Sequence, residues 1–184
     1  MDDLIQDATR RMDKSVESTQ VEFNSVRTGR ASAALLDRIQ VDYYGQATPL
    51  KQLATINVPE PRMLTVQPFD PSSLKAIERS IQESELGLTP SNDGKLIRLP
   101  IPQLTEERRQ ELVKVVRQIA EDGKIAVRNV RRDADKHLKD LKTKGQVGED
   151  DERRAEERVQ KLTDEHTKKI DDLLTRKEAE ITEV

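Results

Sequence analysis

Eight cations in one segment, Lys114, Arg117, Lys124, Arg128, Arg131, Arg132, Lys139 and Lys142, are spaced so that on an α-helix they share an arc of roughly 100°. Groups of this kind stay protonated near neutral pH, so the face suits anion binding better than proton transfer. Arginine stands at 128, 131 and 132, and its planar fork matches two phosphate oxygens at once. No aromatic side chain interleaves with the cations, which disfavours stacking on unpaired bases. The backbone of folded RNA or of a duplex is the better-fitting polyanion. Glu121 and Asp135 interrupt the stripe without cancelling it. Arg27, Arg30 and Arg109 extend the patch if the end of the first helix and the start of the second lie side by side. The competing reading is a solvated face paired with the acids of a neighbouring helix.

Catalytic constellations are missing. His137 and His166 fall on different helices and neither has a second ligand at metal-binding spacing, so both are expected in ordinary packing or bundle-surface roles, and no metal or cofactor is expected. The segment from Gly87 to Leu96 has six residues between its glycines and no hydroxyl after Lys95, which makes it a hairpin turn and not a phosphate loop. The acids Glu149, Asp150, Asp151 and Glu152 complement a helix start more readily than they hold a cation. Tyr43, Tyr44 and Gly45 read as a strand end and a turn. Zero cysteines exclude a thiol nucleophile, a disulfide framework and any Cys-ligated zinc. The chain is expected not to be an enzyme.

These residues sit on a chain of 184, of which 36% are charged and 34% hydrophobic, with two Phe, two Tyr and no Trp. So few aromatics imply thin Leu/Ile/Val/Ala seams and not one thick core. The net charge of −3 hides a division. Residues 123–144 carry eight Lys/Arg against three Asp/Glu, and residues 146–184 carry eight against thirteen. The first residues show no basic-then-apolar leader and no run approaches a membrane span, so a soluble cytoplasmic chain is expected.

Apolar steps of three and four at Ile5, Ala8, Met12, Val16, Thr19, Phe23 and Val26 predict a helix over 2–28, stopped by Gly29. From about 37 to 101, prolines punctuate short strand-like runs, with turns at Gly45 and at 92–94 and one helix over roughly 71–85. Thr105 caps a second long helix that runs to about Lys144, with Leu112, Val116, Ile119, Val127, Val130, Ala134, Leu138 and Leu141 as its apolar arc. After a break at 145–148, a third helix begins near Glu149, with Ala155, Val159, Leu162, Ile170, Leu173 and Ile181 as its seam. The expected fold class is α+β: an elongated antiparallel three-helix bundle (1–29 and 105–184) with a small β/α/β domain (30–104) inserted into it. Two chain crossings, at Arg30, Ala31 and Ser32 and near 102–105 at Gln103, Leu104 and Thr105, form a natural hinge. Three helices use up the narrow seams, so a monomer is expected.

The segments at 26–32, 43–45, 49–54, 104–109 and 127–134 closely resemble those of the bacterial ribosome recycling factor family, in order and across essentially the whole chain. The resemblance implies an L shape of transfer-RNA-like outline. It also implies action after termination, with elongation factor G and GTP, to split the ribosome into subunits, with no GTPase of its own. It implies that the bundle lies along large-subunit ribosomal RNA near the peptidyl-transferase centre, through Arg27, Arg109, Arg128 and Arg131, with Arg132 in the same motif. The small domain of such factors swings about its hinge under elongation factor G. The sequence departs from the family's usual pattern at Thr89 and at Gln103. Two other readings stay open on the residues alone: a helical adaptor that pairs with a partner coiled coil, and a general RNA-binding chaperone.

Overall fold

The computed structural model describes residues 1–183; Val184, the last residue assigned above to the bundle, lies outside them. In chain order the elements are α1 (Asp2–Ser25), a 3₁₀ turn (Ala33–Leu36), β1 (Gln40–Tyr43), β2 (Gln46–Pro49) and the single turn α2 (Leu50–Leu53). Then follow β3 (Ala54–Glu60), β4 (Met63–Pro68), a 3₁₀ turn (Pro71–Ser73), α3 (Leu74–Gln82), β5 (Ser91–Asn92), β6 (Ile97–Pro100), α4 (Glu106–Thr143) and α5 (Glu149–Thr182). They form two compact units, one of Met1–Val26 with the chain from Glu106 onward and one of Arg27–Thr105.

In the helical unit α1 buries Ile5, Ala8, Met12, Thr19 and Phe23, the three-and-four stripe read from the sequence. It is shorter than expected. Val26 is already extended, with φ −80° and ψ 120°, and its N–H donates to the Phe23 carbonyl at 3.1 Å. Gly29 has the left-handed φ of +75° but stands beyond the helix end, in the other unit. The next residue is held from a distance: Arg27 Nη1 donates to the Leu86 carbonyl at 3.0 Å, within the small unit.

α4 runs antiparallel to both other helices. Arg11 of α1 meets Asp133 at 2.7 Å, and Arg117, Lys124 and Lys142 meet Glu178, Asp171 and Glu152 of α5 in reversed order. α1 and α5 are therefore parallel, tied by Arg158 to Asp2 at 3.2 Å and by His166 to Asp13 at 2.7 Å. Met12, Phe23, Val116, Val127, Leu138, Val159 and Ile170 are almost completely buried between the three. Four consecutive acids, Glu149 to Glu152, occupy the first turn of α5, where the helix dipole favours them.

The small unit holds an antiparallel hairpin, β1 with β2, and a four-stranded antiparallel sheet in the order β3-β4-β6-β5. Tyr44 and Gly45 make the hairpin turn with φ of 51° and 80°, the pair of positive values that a twisted two-residue connection needs. Leu74, Ile77 and Ile81 of α3 join Leu36, Val41, Leu50, Leu64, Val66, Ile97 and Leu99 in one core. The helix expected over 71–85 is a 3₁₀ turn followed by a shorter α-helix. Asp70 caps the 3₁₀ turn, its Oδ1 accepting from the Ser72 N–H at 3.0 Å. The turn before β6 is closed by Asp93, whose Oδ1 accepts from the N–H groups of Lys95 (3.0 Å) and Leu96 (2.9 Å). Those are the donors a phosphate would need, so the glycine-flanked segment is a turn.

Both connecting stretches are anchored on the β3–β4 turn: Ala31 N–H donates to Pro61 O at 2.7 Å and Ile101 N–H to Arg62 O at 2.8 Å. They also run side by side, since a Cβ on Gly29 would lie 3.0 Å from Leu104 Cγ and 3.7 Å from Leu104 N.

Candidate nucleic-acid interface

The cationic stripe lies on α4, but α5 divides it lengthwise. On the side facing α5, Arg117 Nε meets Glu178 at 2.6 Å, Lys124 Nζ meets Asp171 at 3.1 Å and Lys142 Nζ meets Glu152 at 2.6 Å. Lys124 keeps only 19% of its side chain in solvent. These three therefore bridge to α5, Arg117 with 64% and Lys142 with 43% of the side chain still in solvent, which corrects the expectation of one undivided eight-cation face. The physical reason is that α5, which forms most of the acidic segment of the chain, packs along this flank. The Asp171 hydrogen bond raises the Lys124 pKa, and that of Glu152 raises Lys142.

Farther round the helix the stripe is open. Arg132 is exposed, and the side chains of Lys114, Arg132 and Lys139 have no ion-pair or hydrogen-bond partner among the described residues. Arg128 sits on the boundary, donating from Nη1 to Glu121 Oε1 at 3.2 Å with 41% of its side chain exposed. These four define a free edge that rises along α4 for roughly 37 Å at 1.5 Å per residue.

Arg131 is intermediate between the two halves. Its Nη1 donates to Gln160 at 3.2 Å and its Nε lies 3.8 Å from Asp135, too far for a hydrogen bond. That Nε is buried without a hydrogen-bond partner among the described residues. Burial raises the Asp135 pKa, and the Arg131 charge offsets part of the effect. Arg109 departs from the stripe altogether. It falls on the apolar arc of α4, is 15% exposed, and lies 3.7 Å from Glu106. Arg27 belongs to the small unit. Of the expected site residues, Arg128, Arg131 and Arg132 are brought together within two turns.

The six hinge candidates, Arg30, Ala31, Ser32, Gln103, Leu104 and Thr105, all fall in the small unit. Ser32 has a local task as well, its hydroxyl accepting from the Ala34 N–H at 3.3 Å. His166 is almost completely buried, with Nδ1 2.6 Å from Leu162 O and Nε2 2.7 Å from Asp13, so it staples α1 to α5. His137 is exposed. Among the described residues no cluster of three or more His, Asp or Glu could hold a metal ion, and no helix is long and apolar enough to cross a membrane.

The spacing of the cations revealed a face but missed its partners. Gln160, Asp171 and Glu178 of α5 were legible only as part of an acidic segment; the seven-residue step from 171 to 178 was the available signal. Gly123, which lets α4 approach α1 closely, carried no sequence signal beyond being a glycine inside a helix.

The helical unit is a rod with one cationic edge along α4. The family model described as Ribosome recycling factor matches residues 19–182. The chain is 55% identical to the ribosome-recycling factor of Rubrobacter xylanophilus over 100% of both chains. It is 56% identical to that of Halalkalibacterium halodurans, covering 99% of this chain and 98% of the relative. A solution structure of the ribosome recycling factor superposes with a TM-score of 0.80 at 44% identity, covering 100% of this chain and 97% of that one. A second solved structure, of the Thermus thermophilus ribosome recycling factor and Escherichia coli elongation factor G bound to the E. coli post-termination complex, matches with a TM-score of 0.69 at 47% identity, over 98% and 97% of the two chains. The chain belongs to the ribosome recycling factor family, whose members are translation factors and not enzymes.

Proposed function

We propose that the protein acts in the cytoplasm on the post-termination ribosome together with elongation factor G, promotes dissociation into subunits, and so releases messenger and transfer RNA. Full-length similarity to the family supports the role, and the free edge of α4 supports its mode of contact. Arg128, Arg131 and Arg132 dock on phosphates of large-subunit ribosomal RNA, with Lys114 and Lys139 extending the line. Arg27 and Arg109 contribute from the small unit and from the start of α4.

The mechanism is positional. A rod braced by the ion pairs between α4 and α5 resists bending, so a lateral push delivered by the partner becomes displacement of the rod against the RNA. The free energy comes from the partner's GTP. The connections at Arg30 to Ser32 and at Gln103 to Thr105 serve as the hinge in this reading.

The test is binding to vacant large subunits across a salt series. Arg132→Ala and Arg131→Ala are expected to bind at least about tenfold more weakly, with a salt slope shallower by roughly one. Lys142→Ala, which alters a staple between helices, is expected to bind like the parent. Equal affinities for all four proteins would overturn the assignment.

A further inference from the structure

Glu121 stands inside the cationic face and not beside it. Its carboxylate accepts from Arg128 Nη1 at 3.2 Å and lies 3.4 Å from Lys124 Nζ, while Lys124 is also held by Asp171 at 3.1 Å. Lys124 is thus shared between Glu121 and Asp171, so two cations, Arg128 and Lys124, face two carboxylates, and Glu121 keeps 47% of its side chain in solvent on the cationic face. These cations, with the Arg128 hydrogen bond foremost, hold the Glu121 carboxyl below the usual carboxylate range, so it is an anion at every pH near neutrality.

Position makes that anion consequential. Glu121 is seven residues from both Lys114 and Arg128, roughly 10 Å from each along the axis and on the same flank of α4. A polyanion laid along the free edge from Lys114 to Arg128 must pass it. A chain of regularly spaced phosphates brings one of them against the carboxylate, and like charges at contact distance cost more than a rim cation returns. An RNA surface whose phosphates meet Lys114 and Arg128 but leave a gap between them escapes the penalty. Discrimination of this kind comes from repulsion of the wrong partner, not from an added contact to the right one.

We propose that Glu121 is a specificity-determining residue, a fixed anion within the RNA-binding edge that disfavours ordinary duplex RNA and leaves the ribosomal surface as the preferred partner. This rests on the free edge of α4 being the contact with RNA. The side chain is about half exposed and its neighbours are polar, so replacing it by glutamine leaves an oxygen to accept from Arg128 and does not disturb the core.

The experiment titrates the full-length protein with vacant large subunits and, separately, with a short RNA duplex unrelated in sequence to ribosomal RNA, at several salt concentrations. Glu121→Gln is expected to bind the duplex about fivefold more tightly at low salt, with a slope steeper by roughly one. Its gain in affinity for large subunits should be clearly smaller than its gain for the duplex, so that the preference narrows. Glu121→Asp, which keeps the charge, should retain the parent's discrimination. Unchanged duplex affinity in Glu121→Gln, or an equal gain for both ligands, would overturn the proposal. Arg128→Ala separates the two levels: weaker subunit binding supports the edge as the contact. Undiminished subunit binding would remove the edge, and the role of Glu121 with it.

Discussion

Gly123 of α4 sits so close to Thr19 of α1 that a Cβ on the glycine would penetrate the Thr19 hydroxyl oxygen. The same atom would lie 3.1 Å from Thr19 Cγ2 and 3.2 Å from Ile170 Cδ1. Three helices therefore meet at one hydrogen atom. Alanine at 123 gains roughly 1 kcal/mol in helix propensity, but overpacking in a rigid core costs about 1–3 kcal/mol. Gly123→Ala is expected to be net destabilising by up to about 2 kcal/mol in urea denaturation. Adding Thr19→Ala should recover most of the loss; a double variant no more stable than the single one would place the strain elsewhere.

Lys142 and Glu152 face each other across the turn between α4 and α5 at 2.6 Å, with the Glu152 side chain only 11% exposed. Lys142→Ala strands that carboxylate in a nearly closed site, and the dipole of α5 offsets only part of the loss. The thermal midpoint is expected to fall by a few degrees, while ribosome affinity stays at the parent's value. Glu152→Gln placed on Lys142→Ala should restore part of the midpoint, which calorimetry can read directly.

Acid should find the small unit through Asp70 and Asp93. Hydrogen bonds from Ser72, foremost its side chain, lower the Asp70 pKa, and the backbone N–H groups of Lys95 and Leu96 lower that of Asp93. A carboxyl depressed in the folded state binds its proton less readily there than in the unfolded chain. Its contribution is complete above the unfolded carboxylate range and is lost as pH falls through the folded value. Urea midpoints of the parent should therefore decline below about pH 4, and the decline should be shallower in Asp70→Asn and Asp93→Asn. Parallel acid limbs in parent and variants would contradict this.

The sequence disclosed what depends on the period of a single element. Ile5, Ala8, Met12, Thr19 and Phe23 had to share a face whichever partner covered it, and Gly45 and the 92–94 turn had to reverse the chain. The end of α1 was misread because Arg27 is bonded to Leu86, a residue distant in sequence. The same limit applies to the candidate site. Helical spacing places Arg117, Lys124, Arg132 and Lys139 around the axis of α4, yet only the position of α5 decides that the first two are paired with acids and the last two are not. Arg109 lies on the apolar arc by the same count, and its partial burial follows from what packs there.

The interruption of the bundle by Arg27–Thr105 also sets an order of events during synthesis. α1 leaves the translating ribosome first, but the helices that cover Met12 and Phe23 are not yet made. At roughly 5–20 residues per second the intervening unit occupies several seconds. That unit is contiguous in sequence and buries its own core, so it can fold while α1 waits with its apolar stripe in water. Chain order thus allows a native sheet unit before the rod exists, because the rod needs α4 and α5, which are made last.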